Sequence, residues 1–194
     1  MTDNELIDHV ATQLEAAVAS GAWDYLVIQK SGPDKEGIPT GPAVFFQKIG
    51  DHRYGHQMVK HALILEDNEF NEKNIQIYET TFQISAMAIQ KPEDITLPTA
   101  SDVANHICMF MQSRTTIAAL GKVDISVLRV TAVRNPYIVD DHIRFEAQPN
   151  FDLIVYSKRE IDIKVPAVSK AVGAFAFDPT IPGEGVFVVK DAEV

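Results

Sequence analysis

The apolar positions of this chain change period several times, and each change predicts an element. Leu6, Ile7, Val10, Leu14, Ala17 and Val18 recur at helical spacing behind Thr2-Asp3-Asn4-Glu5, a capping box with Thr2 or Asp3 as cap. With Gly21 as a C-terminal stop, the pattern predicts a helix over residues 3–19. Trp23 to Gln29 is dense in β-formers and predicts a strand. Residues 31–42 carry three glycines and three prolines, which predicts a loop. Ala43 to Lys48 predicts a second, short strand. Ile49 to His61, holding Gly50, Gly55 and three histidines, then reads as a turn between strands. A short apolar run, Ala62 to Leu65, precedes an acidic stretch, Glu66 to Lys73, that reads as a solvated hairpin end.

Two stretches alternate over a greater length. In Asn74 to Gln90, Tyr78, Thr80, Phe82, Ile84, Ala86 and Ala88 share one strand face. Ile75, Ile77, Met87 and Ile89 lie on the other face, which predicts cover on both sides near the ends, and Pro92 stops the strand. In His142 to Ser157, Ile143, Phe145, Ala147, Pro149, Phe151, Leu153 and Val155 face one side. Arg144, Glu146, Gln148, Asn150 and Asp152 face the other. At ~3.3 Å per residue this segment would run roughly 50 Å, longer than ordinary strands. Pro149 offers no N–H to a central ladder, so it marks an edge, a bulge or a bend where the strand leaves the domain body.

Between the two lies a helical unit. Ser101 reads as its cap, Asp102 sits in its first turn, and Val103, Ile107, Phe110 and Met111 form its apolar stripe. Thr115 to Leu120 reads as a further turn or short helix stopped by Gly121, and Val123 to Val130 as a strand. Asn135-Pro136 and Asp140-Asp141 bracket the connection into the long strand. Lys158 to Lys164 is charged but alternates with Ile161 and Ile163. The remainder is apolar and broken by Pro166, Pro179 and Pro182. With only one central helical unit between strands, the order predicts an α+β fold: a mainly antiparallel sheet with long strands and two to three helices on one face. The expected organisation is an α+β domain over 1–164 and an extended segment or arm over 165–194.

Composition narrows the function. At 46% hydrophobic residues, the 194-residue chain can bury a real core. No apolar run approaches the ~20 residues of a membrane span, and the acidic, amphipathic MTDNELIDHV does not read as a signal peptide. A single cysteine, Cys108, allows no internal disulfide and no cysteine metal cluster, which points to a reducing cytoplasm. A net charge of −10 with a pI near 5.0 argues against gripping a phosphate backbone. It suits an assembly subunit, or a surface past which DNA must slide.

Candidate chemistry is sparse. His52, His56 and His61 lie in DHRYGHQMVKH, where an i, i+4 pair on a helix would share a face and bind a metal. Gly55 argues against a helix there, and no HExxH glutamate is present. Solvated or interface histidines are the stronger reading, and a small metal-binding enzyme using these three is the remote alternative. Structural roles are expected for His9 and His106, and Cys108 reads as a small buried hydrophobe. The glycine loop has no GK[ST] ending, no GxSxG occurs, and no GxGxxG follows a strand. No catalytic residue, cofactor site or metal site is assigned. Charge, however, is uneven. Lys48, Arg53 and Lys60, with the three histidines, make a basic stretch, and Glu66, Glu69 and Glu72 make an acidic one soon after. Two solvated loops would explain this. Complementary head-to-tail contacts in a ring are the sharper hypothesis. Phe175, Phe177 and Phe187 in the tail are either core or partner anchors.

Three stretches together resemble a known family. They are EGIPTGPAVFFQK (Glu36 to Lys48), YETTFQISAMAI (Tyr78 to Ile89) leading into SDVANHICMFMQS, and IRFEAQPNFDLIVYS (Ile143 to Ser157). Their arrangement resembles the tail-terminator or neck proteins of tailed bacteriophages, over roughly residues 20–160. Arg144-Phe145 and Leu153 to Tyr156 occupy the family's late strand, with Phe145 where a tryptophan is usual. The resemblance implies a non-enzymatic structural protein of the virion, assembled in the host cytoplasm. Such a protein forms a ring, typically a hexamer, on the last tail-tube ring, stops polymerisation and offers the head connector a docking surface. It implies tail-tube protein, head-connector or stopper protein and, in contractile tails, sheath as partners. Double-stranded DNA would pass through without sequence-specific binding, and no membrane is involved. Six copies at −10 each would bring −60, so an acidic channel would repel rather than trap DNA. A head-completion or stopper protein is the runner-up.

Overall fold

A computed structural model describes residues 1–29, 41–64, 69–88, 96–139 and 145–166. Ten elements follow in order: α1 (Asp3–Ser20), β1 (Leu26–Gln29), β2 (Ala43–Ile64), β3 (Glu69–Met87), α2 (Ala100–Met111), α3 (Arg114–Gly121), β4 (Ile125–Val130), β5 (Tyr137–Val139), β6 (Phe145–Ala147) and β7 (Asn150–Pro166). Five strands form one open sheet in the order β1-β2-β3-β7-β4, and β5 pairs with β6 in a separate two-stranded sheet. β1 runs parallel to β2, with Leu26 opposite Ala43, whereas β4 runs antiparallel to β7, with Ile125 opposite Ser157. The architecture is α+β with a mostly antiparallel sheet and three helices, as the alternating patterns predict.

Local sequence explains most of the helix ends. Thr2 caps α1, its Oγ1 accepting from the Glu5 N–H while the Glu5 carboxylate accepts from the Thr2 N–H. The cap of α2 is Thr99 rather than Ser101, because Asp102 sits three residues on and closes the reciprocal box with it. Ser113 caps α3. Gly21 ends α1 in a right-handed conformation (φ −80°). Its lack of a side chain serves close approach instead, since a Cβ there would lie 2.7 Å from the Trp23 ring.

The strands depart from expectation in length. β2 is one strand, not a short strand followed by a turn. Gly55, at φ 69°, takes a left-handed conformation that glycine adopts without steric cost, and the strand continues through it. β3 begins at Glu69, five residues before the alternation suggested. β1 is confined to Leu26–Gln29, while Trp23 and Tyr25 stack at 5.7 Å just outside it. β4 starts at Ile125, after a left-handed Asp124 (φ 58°). The stretch 142–157 is not one strand. β6 ends at Ala147, the chain changes sheets at Gln148-Pro149, and β7 runs from Asn150 well past Ser157 to Pro166. Pro149 cannot donate, but its carbonyl accepts from the Ala86 N–H at 3.1 Å, so it marks the entry into the main sheet rather than an exit. Residues 142–144, Pro92 and the tail beyond 166 lie outside the described residues.

The core follows the predicted faces. Phe82, Ile84 and Ala86 of β3 and Phe151, Leu153 and Val155 of β7 pack with Val44 and Phe46 of β2 against α1 and α2. From the helices come Leu6, Val10, Leu14 and Ala17, and Val103, Ala104, Ile107 and Met111. Phe110, expected in the stripe, is half-buried. On the second face of β3, Ile75 is buried but Ile77 is 44% exposed. The chain divides into two compact units. One comprises Met1–Met58 with Asn74–Ile161, and the other Val59–Lys73 with Asp162–Val194.

Within the first unit the apolar core gives way to charge at the start of α1. Lys48 Nζ donates to Asp3 Oδ2 at 2.7 Å and lies 2.5 Å from Asp51 Oδ2. Arg159 bonds to Asp3, approaches Asp51 at 3.3 Å and stacks its guanidinium 4.5 Å from the Tyr78 ring centre. Thr80, fully buried, donates to Asp51 Oδ1 at 2.6 Å. Partial burial opposes the Asp51 charge. The hydrogen bonds from Lys48 and Thr80 and the charges of Lys48 and Arg159 outweigh it and hold the carboxyl below its usual value of 3.8. Burial likewise opposes the Lys48 charge, and Asp3 and Asp51 more than restore it, raising the ammonium above 10.5.

Both shifts mark stability that depends on the charged forms. The Asp51 contribution is present above the ordinary carboxylate range and is lost as pH falls through its lowered folded value. The Lys48 contribution is present below 10.5 and is lost as pH rises through its raised one. Asp51→Asn should therefore flatten the acid limb of the stability–pH curve below about pH 4. At neutral pH it should cost about 1–3 kcal/mol by urea denaturation. An unchanged acid limb would remove this network from the account of stability. Phe82→Ala, at a fully buried position, should cost about 3–5 kcal/mol in the same assay.

Candidate assembly surfaces

The residues singled out by charge separate when placed on the strands. Lys48 is committed within its own chain to Asp3 and Asp51, with its side chain 19% exposed. Asp51, Asp3 and Arg159 are the members of that cluster which sequence reading passed over. Asp51 lies only three residues from Lys48, a usable signal. Asp3 and Arg159 come from 45 and 111 residues away along the chain, and only the fold brings them in. Arg53 and Lys60 are exposed on β2, Arg53 in the first unit and Lys60 in the second. In the second unit His61 Nδ1 lies 4.0 Å from Glu72 Oε2, so the basic and acidic stretches meet across neighbouring strands of one chain. Glu69 opens β3. Glu66, Phe175, Phe177 and Phe187 lie outside the described residues.

Strand geometry also decides the histidine question. Residues four apart on a helix are neighbours, but four apart on a strand are separated by ~13 Å, beyond a shared metal. His52, His56 and His61 all lie exposed along β2. Among the described residues no group of three or more His, Cys, Asp or Glu side chains is placed to hold a metal ion.

One pair has the look of a nucleophile and base. Ser20 Oγ lies 2.8 Å from His106 Nε2. The Ser20 hydroxyl, however, donates to the Ala17 carbonyl at 2.7 Å, so its oxygen receives the imidazole N–H. In that tautomer His106 cannot take the serine proton, as a general base must. The Trp23 ring meets the imidazole edge-on at 4.8 Å, and the group closes the end of α1 against α2. Cys108 is half-buried, its Sγ facing the Thr131 carbonyl at 3.8 Å. Burial raises its thiol above the ordinary value, the reverse of an activated thiolate.

What remains is surface. The helices cover one face of the sheet. On the other, Gln47 donates to Gln83 at 3.0 Å, and Tyr156 contacts Glu79 and tilts against Tyr54 at 5.1 Å. Burial and the nearby Glu79 charge raise the Tyr156 phenol. Ile49, two residues after Gln47, is 52% exposed, and Ile77, two before Glu79, is 44% exposed. Alternation places both on this second face, where Phe45, Ile75 and Ile154 are nonetheless buried. Across the molecule, the outer sides of α2 and α3 expose Met109 and Ile117. Large exposed apolar groups in clusters mark interaction sites more often than chance. No described helix is long and apolar enough to cross a membrane.

Comparison with known proteins agrees with this picture. No curated protein is recognisably similar in sequence. Among solved structures, 25 chains are significantly similar. One is the sheath/tube terminator of an extracellular contractile injection system, PVC, seen by cryo-EM in its extended state. It aligns at a TM-score of 0.54 and 10% identity over 95% of this chain, which shows a shared fold. This chain spans 66% of that one, just under two thirds of its length. The sequence profile of the family described as E217 gateway protein gp29 matches residues 5–167, most of the chain and nearly all of its described elements. The chain therefore belongs to the E217 gateway protein gp29 family.

Proposed function

We propose that this protein caps the phage tail tube as a homo-oligomeric ring, a hexamer, ending tube polymerisation and presenting a docking surface to the head connector. The observation that carries the reading is the family match over residues 5–167. The shared fold with a sheath/tube terminator supports it independently. DNA passes through the ring, whose formal charge of −10 per copy repels the phosphate backbone instead of binding it. The partners are tail-tube protein on one side, the head connector or stopper on the other, and the sheath where the tail is contractile. The protein is assembled in the host cytoplasm and resides in the virion. A head-completion or stopper protein, one ring further up, is the second reading, since a gateway protein is named for passage rather than for an end.

Arg53, Lys60, Glu66, Glu69 and Glu72 contribute to subunit contacts in this reading, and Phe175, Phe177 and Phe187 anchor an arm over 165–194. Lys48 contributes indirectly, by fixing α1 to the sheet through Asp3 and Asp51.

Negative-stain images of the purified protein should show six-fold rings with a hole of DNA width, and the rings should co-purify with tail-tube protein. Capture of the head connector alone would favour the stopper. A strictly monomeric protein that binds zinc stoichiometrically would sink both. Arg53→Gln with Lys60→Gln should reduce ring yield several-fold at low salt while leaving the circular dichroism spectrum unchanged; rings that form normally at every ionic strength would dismiss these contacts. Truncation at Val165 should leave a folded chain that fails to assemble, whereas an insoluble product would place the tail in the core.

A further inference from the structure

We propose that the edge strand β1, with the cleft between it and α1, receives residues 185–190 of a neighbouring copy as an added strand. The inference deepens the ring reading above by naming where the arm over 165–194 docks, and it rests on that reading only for the existence of an oligomer.

Two observations, both within the first unit, point to an added strand. One is the edge itself. Among the described residues β1 has a single neighbour, β2, so one row of its backbone N–H and C=O groups faces outward. The other edge, β4, is guarded by a break in register between Val127 and Arg129 and by the exposed Arg129. β1 reads Leu26-Val27-Ile28-Gln29 in unbroken register with Ala43 to Phe46. It holds no charge and no proline, and only its shortness protects it. Leu26 is 63% exposed. The second observation is the cleft. α1 packs near β1 but leaves a space of about 290 Å³, lined by Ile7 and Ala11 of the helix, Val27 of β1 and Phe46 of β2, with exposed Asp8 beside them. A strand laid on β1 would turn alternate side chains toward α1 and into this cleft, as Val27 already does. Backbone pairing then supplies affinity, and the cleft supplies selectivity.

Tether, period and charge choose the occupant. The cleft is open in the single chain, so another chain fills it. The internal segments outside the described residues are tied to an element on each side, whereas residues 167–194 follow β7 with no described element after them. At ~3.3 Å per residue they can span roughly 90 Å, enough to reach another copy. Within them Val186, Phe187, Val188 and Val189 are strong strand formers. In an extended run Val186, Val188 and Lys190 share one face, and Phe187 and Val189 share the other. The first face brings branched apolar side chains to Ile7, Ala11 and Val27 and an ammonium to Asp8. The second lays Phe187 against Leu26. α1 carries Asp3, Glu5, Asp8 and Glu15 with no Lys or Arg, so a cation is the fitting charge beside it. Lys30, which follows β1, lies outside the described residues. Of the acids that bracket the run, Glu184 stands at the end remote from Lys190 and Asp191 falls on the opposite face. Each copy gives one arm and receives another, a pairing of unlike surfaces that closes into a ring when the rotation between copies allows.

Cysteine pairs in full-length Cys108→Ser protein test this, Ala11→Cys in the cleft and Val188→Cys in the arm, with Val27→Cys in place of Ala11→Cys should that variant misfold by circular dichroism. Co-expressed and mildly oxidised, the two single-cysteine chains should yield a heterodimer on non-reducing gels that reductant dissolves, and neither should do so alone. With both cysteines in one chain, a ladder of linked copies is expected. A linked monomer instead of a ladder, no link at all, or a wild type that is itself monomeric would each overturn the assignment. Asp8→Lys and Lys190→Glu should each weaken assembly several-fold by light scattering, and the two together should restore it; a double variant no better than the singles overturns the pairing. Tail-tube binding is read separately. Linked rings that ignore tail-tube protein sink the capping role and leave this contact standing. Chains that bind tail-tube protein but never link do the reverse.

Discussion

The strand pair β3–β7 at the centre of the sheet carries the constraint on which the rest depends. Each must bury one face under α1 and α2, and Phe82, Ile84 and Ala86 on one and Phe151, Leu153 and Val155 on the other do so completely or nearly so. Because side chains alternate with a period of two, a slip of one residue in either strand would turn that whole set toward the second face. Register is therefore held by burial along the length where helices lie above. Fully buried Thr80 on β3 and nearly buried Ser157 on β7 mark where the apolar floor thins. Beyond them the same face continues into Tyr78 and Arg159, and hydrophobic packing hands over to charge.

That handover explains the composition of the Asp3–Lys48–Asp51–Arg159 cluster. Two acids and two bases from α1, β2 and β7 neutralise one another at side-chain exposures between 19% and 46%, dry enough to strengthen attraction and wet enough to spare full desolvation. Asp3 also lies in the first turn of α1, where a carboxylate favours the helix dipole. The first helix is thus fixed at one end by this cluster and at the other by Ser20, Trp23 and His106.

How much of this was legible in the sequence depended on whether the deciding interaction was local. The helices were legible because capping boxes and apolar stripes lie within a few residues of what they specify. Even there Ser101 outweighed Thr99, although the acid three residues on identified Thr99 as the true cap. The buried face of β3 was legible from its alternation. The continuation of β2 through Gly50, Gly55 and three histidines was not. Those residues have weak strand propensity, and pairing with a neighbouring strand overrides it. In the same way the charged run after Ser157 extended β7, while Pro149 divided what alternation had joined. Pattern alone cannot say which of two sheets a strand segment pairs with. The surface candidates fared by the same rule. Lys48 was recognisable as a cation, but its acidic partners arrive through the fold, and the exposed Met109 hid within a helix whose stripe is read for its buried side.

Among the described residues, the side chains that could carry chemistry are engaged elsewhere. Ser20 and His106 lock a helix end, Cys108 has a thiol raised by burial, and the histidines of β2 are spread along a strand. Interaction surfaces carry sequence information weakly, because complementarity needs shape and sign more than particular residues. A net charge of −10 repels other acidic surfaces at long range, and salt at physiological strength screens that repulsion beyond about 8 Å. Within that distance, local positive charge and exposed apolar groups decide which surfaces stay together. Repulsion at a distance and complementarity at contact can therefore coexist in one subunit.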